Sequence, residues 1–115
     1  MPAVPRWGWQ RVTSTGRDGT TTSRLGTCCG SLAYYPVGKG WEVLHIPTGL
    51  RVLVLPKEEQ ARQMVTVLQR WATALLLADA KLVAKALPVG VVAWINRCEH
   101  EGKVLPLAGV FTTSV

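Results

Sequence analysis

Cys28-Cys29, His45 and the triplet Cys98-Glu99-His100 hold the side chains of this chain best suited to ligating a metal. Zinc sites usually pair their ligands across two to four residues, so that one turn brings two donors to one ion. Adjacent cysteines and a Cys-x-His do not have that form, and no metal site is expected. Adjacent cysteines also strain disulfide geometry. Cys98 is expected as a buried small residue, and Cys28 and Cys29 as small residues in a Gly-rich turn. His45 stands alone, and a local role is expected for it, packing on Trp41 or bonding to a turn carbonyl. The carboxylates are Asp18, Glu42, Glu58, Glu59, Asp79, Glu99 and Glu101. Helix capping and solvation account for the pairs Glu58-Glu59 and Glu99/Glu101, and no spacing assembles a general acid with a general base. No G-x-x-x-x-G-K-S/T phosphate loop occurs. The chain is expected to be no enzyme, with no catalytic residue and no cofactor.

Binding chemistry is better represented. Arg6, Trp7, Trp9, Arg11, Arg17 and Arg24 interleave cations with indoles near the N-terminus. Arginine neutralises phosphates, tryptophan stacks on unpaired bases, and both dominate protein-interface hot spots. The formal net charge is +6, and it is uneven: residues 1–57 hold seven basic side chains against Asp18 and Glu42, whereas residues 58–115 hold six against five. A basic half predicts an acidic partner. It excludes a mimic of DNA, which must itself be acidic. Trp7, Trp9, Arg11, Arg17, Arg24 and Lys39 are the candidate contact residues.

The elements that position these residues follow from periodicity. The chain is long enough for one domain and one core, and 48% hydrophobic residues with 17% charged exclude a disordered chain. Trp7 and Trp9 alternate with small or polar neighbours and fit a strand. Residues 13–31 contain nine Ser or Thr and four Gly, and are expected to form a flexible loop or a tight turn between strands. Leu32–Tyr35 fits a short strand. Trp41–Ile46 and Leu50–Leu55 flank Pro47-Thr48-Gly49 and read as a β-hairpin. Its second strand is apolar on both faces except at Arg51, which predicts a central place in the sheet. Lys57–Leu77 has apolar residues at helical spacing over four turns, and Asp79 can cap a helix over Ala80–Leu87. Val89–Cys98 fits either a helix or a buried strand, with helix favoured. Residues 104–115 form a frayed tail or an edge strand. The fold class is therefore α+β: an antiparallel three- to four-stranded sheet packed on a long amphipathic helix, with one or two additional C-terminal helices. No run reaches the length of a membrane span, and Met1–Arg6 lacks the apolar stretch of a signal peptide. A reducing, intracellular setting without membrane association is expected.

The stretch Trp41-Glu42-Val43-Leu44-His45-Ile46-Pro47-Thr48-Gly49-Leu50, with the strand and helix after it, resembles small phage and mobile-element accessory proteins that share a W-x-V-x-H-x-P-T-G-L-like hairpin. The resemblance covers 20–35 residues. It implies a phage-encoded protein in the cytoplasm of a bacterial host that binds host machinery, such as a CRISPR effector or a transcription enzyme. The expected function is that of a non-enzymatic inhibitor whose partner presents an acidic or nucleic-acid-recognising surface. The alternative is a module that binds DNA or RNA directly. The oligomeric state is left open.

Overall fold

Threonine and serine build the turn end of the first hairpin, over Thr13–Thr15 and Thr21–Ser23. The computed structural model describes residues 6–107, and within them Trp7–Thr15 (β1) and Thr21–Cys29 (β2) pair in continuous antiparallel register from Trp7–Cys29 to Thr15–Thr21. This corrects the expectation of a flexible loop over residues 13–31, most of which are strand, while the alternative of a tight turn between strands holds at 16–20. A two-stranded ribbon satisfies its backbone through its own ladder and needs little buried apolar area, and β-branched Thr suits it. The reversal is tight: Gly16 N–H donates to Thr20 O at 2.8 Å, Gly19 N–H to Gly16 O at 3.0 Å, and Gly19 takes φ +83°.

Leu32–Val37 (β3), Gly40–His45 (β4) and Leu50–Leu55 (β5) complete an antiparallel meander of five strands, in the order β1-β2-β3-β4-β5. The class is α+β as expected, with more strands than the three or four anticipated. The central strand is β3, whose Leu32, Ala33, Tyr34 and Tyr35 are all buried. The strand expected there, β5, comes last in the order. Its apolar character has another cause. Leu53 and Leu55 enter the core, and the Val54 N–H donates to the Glu99 carboxylate of a covering helix at 2.7 Å.

The long helix expected over 57–77 is broken. Glu58–Leu68 (α1) buries Ala61, Met64, Val65 and Leu68, a 3-10 turn follows over Gln69–Trp71, and Ala72–Leu75 (α2) resumes. Gln69 sits at the break. Its Nε2 donates to Cys29 O at 2.9 Å and to Val65 O at 3.2 Å, tying the chain to the β2–β3 turn. Gly30 makes room for it: a Cβ there would lie 2.7 Å from Gln69 Oε1. Asp79 caps Ala80–Ala86 (α3) through the Lys81 and Leu82 amides, as the sequence predicts. Val91–Glu101 (α4) resolves the ambiguous segment as helix, with Val91, Trp94, Ile95 and Cys98 buried, and ends at Gly102 with φ +71°. Residues 104–107 form no strand, and the expected fraying does not reach them. Val104, Leu105 and Leu107 pack on the core, and Trp94 Nε1 donates to Leu105 O at 3.2 Å. The rest of the expected tail, 108–115, lies outside the described residues.

The sheet has two buried faces. One carries Leu32, Tyr34, Val43, Leu53 and Leu55 against α1 and α4. The other carries Val12, Cys28, Ala33, Tyr35 and Leu44. Among the described residues no helix lies in this second cluster; the β1–β2 hairpin bends across it and supplies Val12 and Cys28. The Thr15 N–H reaches Gly49 O in the β4–β5 turn at 2.7 Å. Gly49, at φ +70°, permits that approach, since a Cβ would lie 2.9 Å from Thr15 Oγ1. Among the described residues no helix is long and apolar enough to cross a membrane.

Candidate functional site

Alternation along β1 places Trp7, Trp9 and Arg11 on one face, opposite Cys29, Thr27 and Leu25 of β2. This face is continuous with the helix-covered side of the sheet, but the helices cover only its Trp7–Cys29 end. There Trp7 packs edge-on against Tyr34, with ring centroids 6.1 Å apart, and Tyr34 meets Trp41 in the same way at 6.0 Å. The Arg62 guanidinium of α1 lies 4.0 Å above the Trp7 ring. Farther along, Trp9 is 75% exposed and Leu25 52% exposed. Arg11 lies directly across from Leu25, and its Nη1 donates to Ser23 Oγ at 3.4 Å. The result is an apolar centre of Trp9 and Leu25 with cations on both sides.

The remaining expected contact residues lie elsewhere. Arg24 points to the opposite face of the ribbon, its guanidinium 5.2 Å from the centre of the Tyr35 ring. Arg17 sits in the β1–β2 turn and lines a cavity on that second face. Lys39 is exposed in the β3–β4 turn. The structure therefore brings together Trp7, Trp9 and Arg11 and separates them from Arg17, Arg24 and Lys39. Leu25 and Arg62 escaped the sequence reading. Leu25 lies in a Ser/Thr-rich segment with no apolar pattern, and Arg62 reaches Trp7 only through tertiary packing.

The titratable groups of the interior serve the fold. Tyr35, beneath the hairpin, donates to the Glu42 carboxylate. Burial first, and then the Glu42 carboxylate, push its phenol far above the usual range. His45 is buried. Its Nε2 donates to Leu75 O at 2.7 Å, since a carbonyl can only accept, and its Nδ1 lies 2.8 Å from Thr48 Oγ1. The carbonyl it reaches belongs to the last turn of α2, and the bond ties that helix to β4. Cys28 and Cys29 lie in β2 rather than in a turn, and with Cys98 they are buried free thiols. Burial raises all three above the ordinary thiol value, which keeps them protonated and poor nucleophiles. Among the described residues no group of three or more His, Cys, Asp or Glu side chains could hold a metal ion.

A five-stranded meander folded over on itself, with helices on one side and an aromatic and basic ribbon left uncovered, is the architecture these residues define. No family model, curated protein or solved structure matches the chain.

Proposed function

We propose that this chain is a non-enzymatic interaction module that engages a protein partner through the outer face of the β1–β2 ribbon. The observation that carries the reading is Trp9, three-quarters exposed on a regular strand beside half-exposed Leu25 and close to Arg11. A large indole held in solvent by a rigid ladder adds little to folding. Tryptophan and arginine around an apolar centre are what interface hot spots are made of. The partner that fits has an apolar depression rimmed by carboxylates, and the mechanism is steric occlusion of that surface. A host or defence complex as the target, with the chain acting as a phage-encoded inhibitor in a bacterial cytoplasm, rests on the hairpin resemblance.

A second reading has its own support. Arg62 over Trp7, with Arg11 near Trp9, alternates cations and ring faces as single-strand binders do. Leu25 at the centre of the patch favours protein over bases.

The test compares affinity capture from host extract by the wild-type chain and by Trp9→Ala and Leu25→Ser variants, read by mass spectrometry. A protein retained by the wild type and lost with both variants is the expected result. Identical retention by all three overturns the reading. Binding of plain oligonucleotides that falls steeply between about 50 and 200 mM salt supports the second reading.

A further inference from the structure

The second face of the sheet offers chemistry that the ribbon's outer face does not use. Between the β1–β2 turn and strands β4 and β5 lies a cavity of about 620 Å³. That volume falls in the range of small-molecule sites. Arg17 enters its wall from the turn, Arg51 from β5 and Glu42 from β4, with the Ser14 and Thr15 positions of β1 alongside. Among the described residues no side-chain hydrogen bond or ion pair engages either guanidinium. Glu42, the one acid in the wall, already receives the Tyr35 hydroxyl. The neighbouring Asp18 accepts from the Thr20 amide at 3.0 Å and from the Thr20 hydroxyl, and does not itself line the wall. The cavity is left with a positive excess and two guanidiniums whose donors are unused. Such donors are strongest toward a charged oxyanion.

We propose that this cavity binds a small phosphorylated molecule that also carries hydroxyl groups, the chemistry shared by sugar phosphates and mononucleotides. The phosphate group lies against Arg17 and Arg51, whose planar forks match its oxygens two at a time. Glu42 keeps acceptor capacity that the Tyr35 hydroxyl does not fill, and takes a hydrogen bond from a ligand hydroxyl. Inorganic phosphate would leave most of the volume unfilled, which is why a larger ligand fits better.

The test uses the full chain at low salt, titrated with inorganic phosphate, ribose 5-phosphate, AMP and adenosine, and followed by amide NMR and calorimetry. Ribose 5-phosphate and AMP are expected to bind and to move the Arg17 and Arg51 amides, with adenosine inert. Tighter binding of AMP assigns a mononucleotide, and equal binding a sugar phosphate. Arg51→Ala is expected to weaken binding about tenfold or more, with Arg51→Lys intermediate. Glu42→Gln lowers the preference for ribose 5-phosphate over inorganic phosphate, while Trp9→Ala changes nothing. The proposal is overturned if no phosphorylated probe moves these amides at about 10 mM. It is equally overturned if adenosine binds as tightly as AMP, or if a folded Arg17→Ala/Arg51→Ala double variant binds like the wild type.

Discussion

On one face the sheet buries Leu32, Tyr34, Val43, Leu53 and Leu55 under helices; on the other it buries Val12, Cys28, Ala33, Tyr35 and Leu44 under its own bent hairpin. The helix-covered face is large and apolar, and Trp94 is fully buried in it. The hairpin-covered face is smaller and mixes apolar groups with Tyr35, Glu42 and Arg24. The helix-covered face leaves a small apolar cavity of about 190 Å³ among Leu68, Leu75, Val83 and Ile95, whereas the ribbon leaves one of about 620 Å³ with Arg17, Glu42 and Arg51 in its wall. The first face therefore supplies the stability, and the second supplies polar concavity.

Substitutions can separate the two faces. Trp94→Ala removes the largest buried side chain of the helix-covered face and is expected to cost about 3–5 kcal/mol in denaturant unfolding. His45→Ala strips the Leu75 carbonyl of its donor and should cost about 1–3 kcal/mol, with hydrogen exchange rising in α2. Gly49→Ala forces a side chain into a left-handed turn and against Thr15. It should cost about 1–2 kcal/mol and speed exchange at the Thr15 amide while the α1 amides keep their protection. If α1 loses protection equally, the two faces are one cooperative unit.

Tyr35 gives the second face a pH signature. Its phenol is raised in the folded chain, so above the ordinary tyrosine value the unfolded chain releases a proton that the folded chain retains. Stability is intact below about pH 10 and falls as pH rises past it. A Tyr35→Phe variant should lose less stability over that interval, as chemical denaturation across pH would show. The smallest stability effect is expected from Trp9→Ala, within about 0.5 kcal/mol, because its ring is mostly in water. A loss well beyond that would place Trp9 in the scaffold rather than at an interface.

Local signals in the sequence carried much of this fold. The Pro47-Thr48-Gly49 turn, the Asp79 cap and the apolar stripe of α4 each depend on residues within a turn or two of one another. Long-range pairings were not legible. Nothing in Gln69 announces that it will reach Cys29 and interrupt a helix. A Ser/Thr-rich segment looks alike whether it is a loop or a ribbon until its register is known. At the candidate site, the alternation of Trp7, Trp9 and Arg11 was readable, because it is a property of one strand. The company of Leu25 and Arg62, and the meeting of Arg17, Glu42 and Arg51 in one cavity, arise only when separate elements fold together.

Because spatial order in the sheet repeats the order of the chain, every strand finds its partner in the segment just before or after it. Closing such short loops costs little entropy, and topologies built this way assemble quickly. Other contacts join distant segments, among them the Thr15–Gly49 bond, the His45 bond to Leu75, the Gln69 bridge to Cys29 and the Glu99 bond to Val54. These are the contacts expected to form last. The wall of the phosphate cavity would then be completed at the end of folding, after the ribbon bearing Trp9 is already paired.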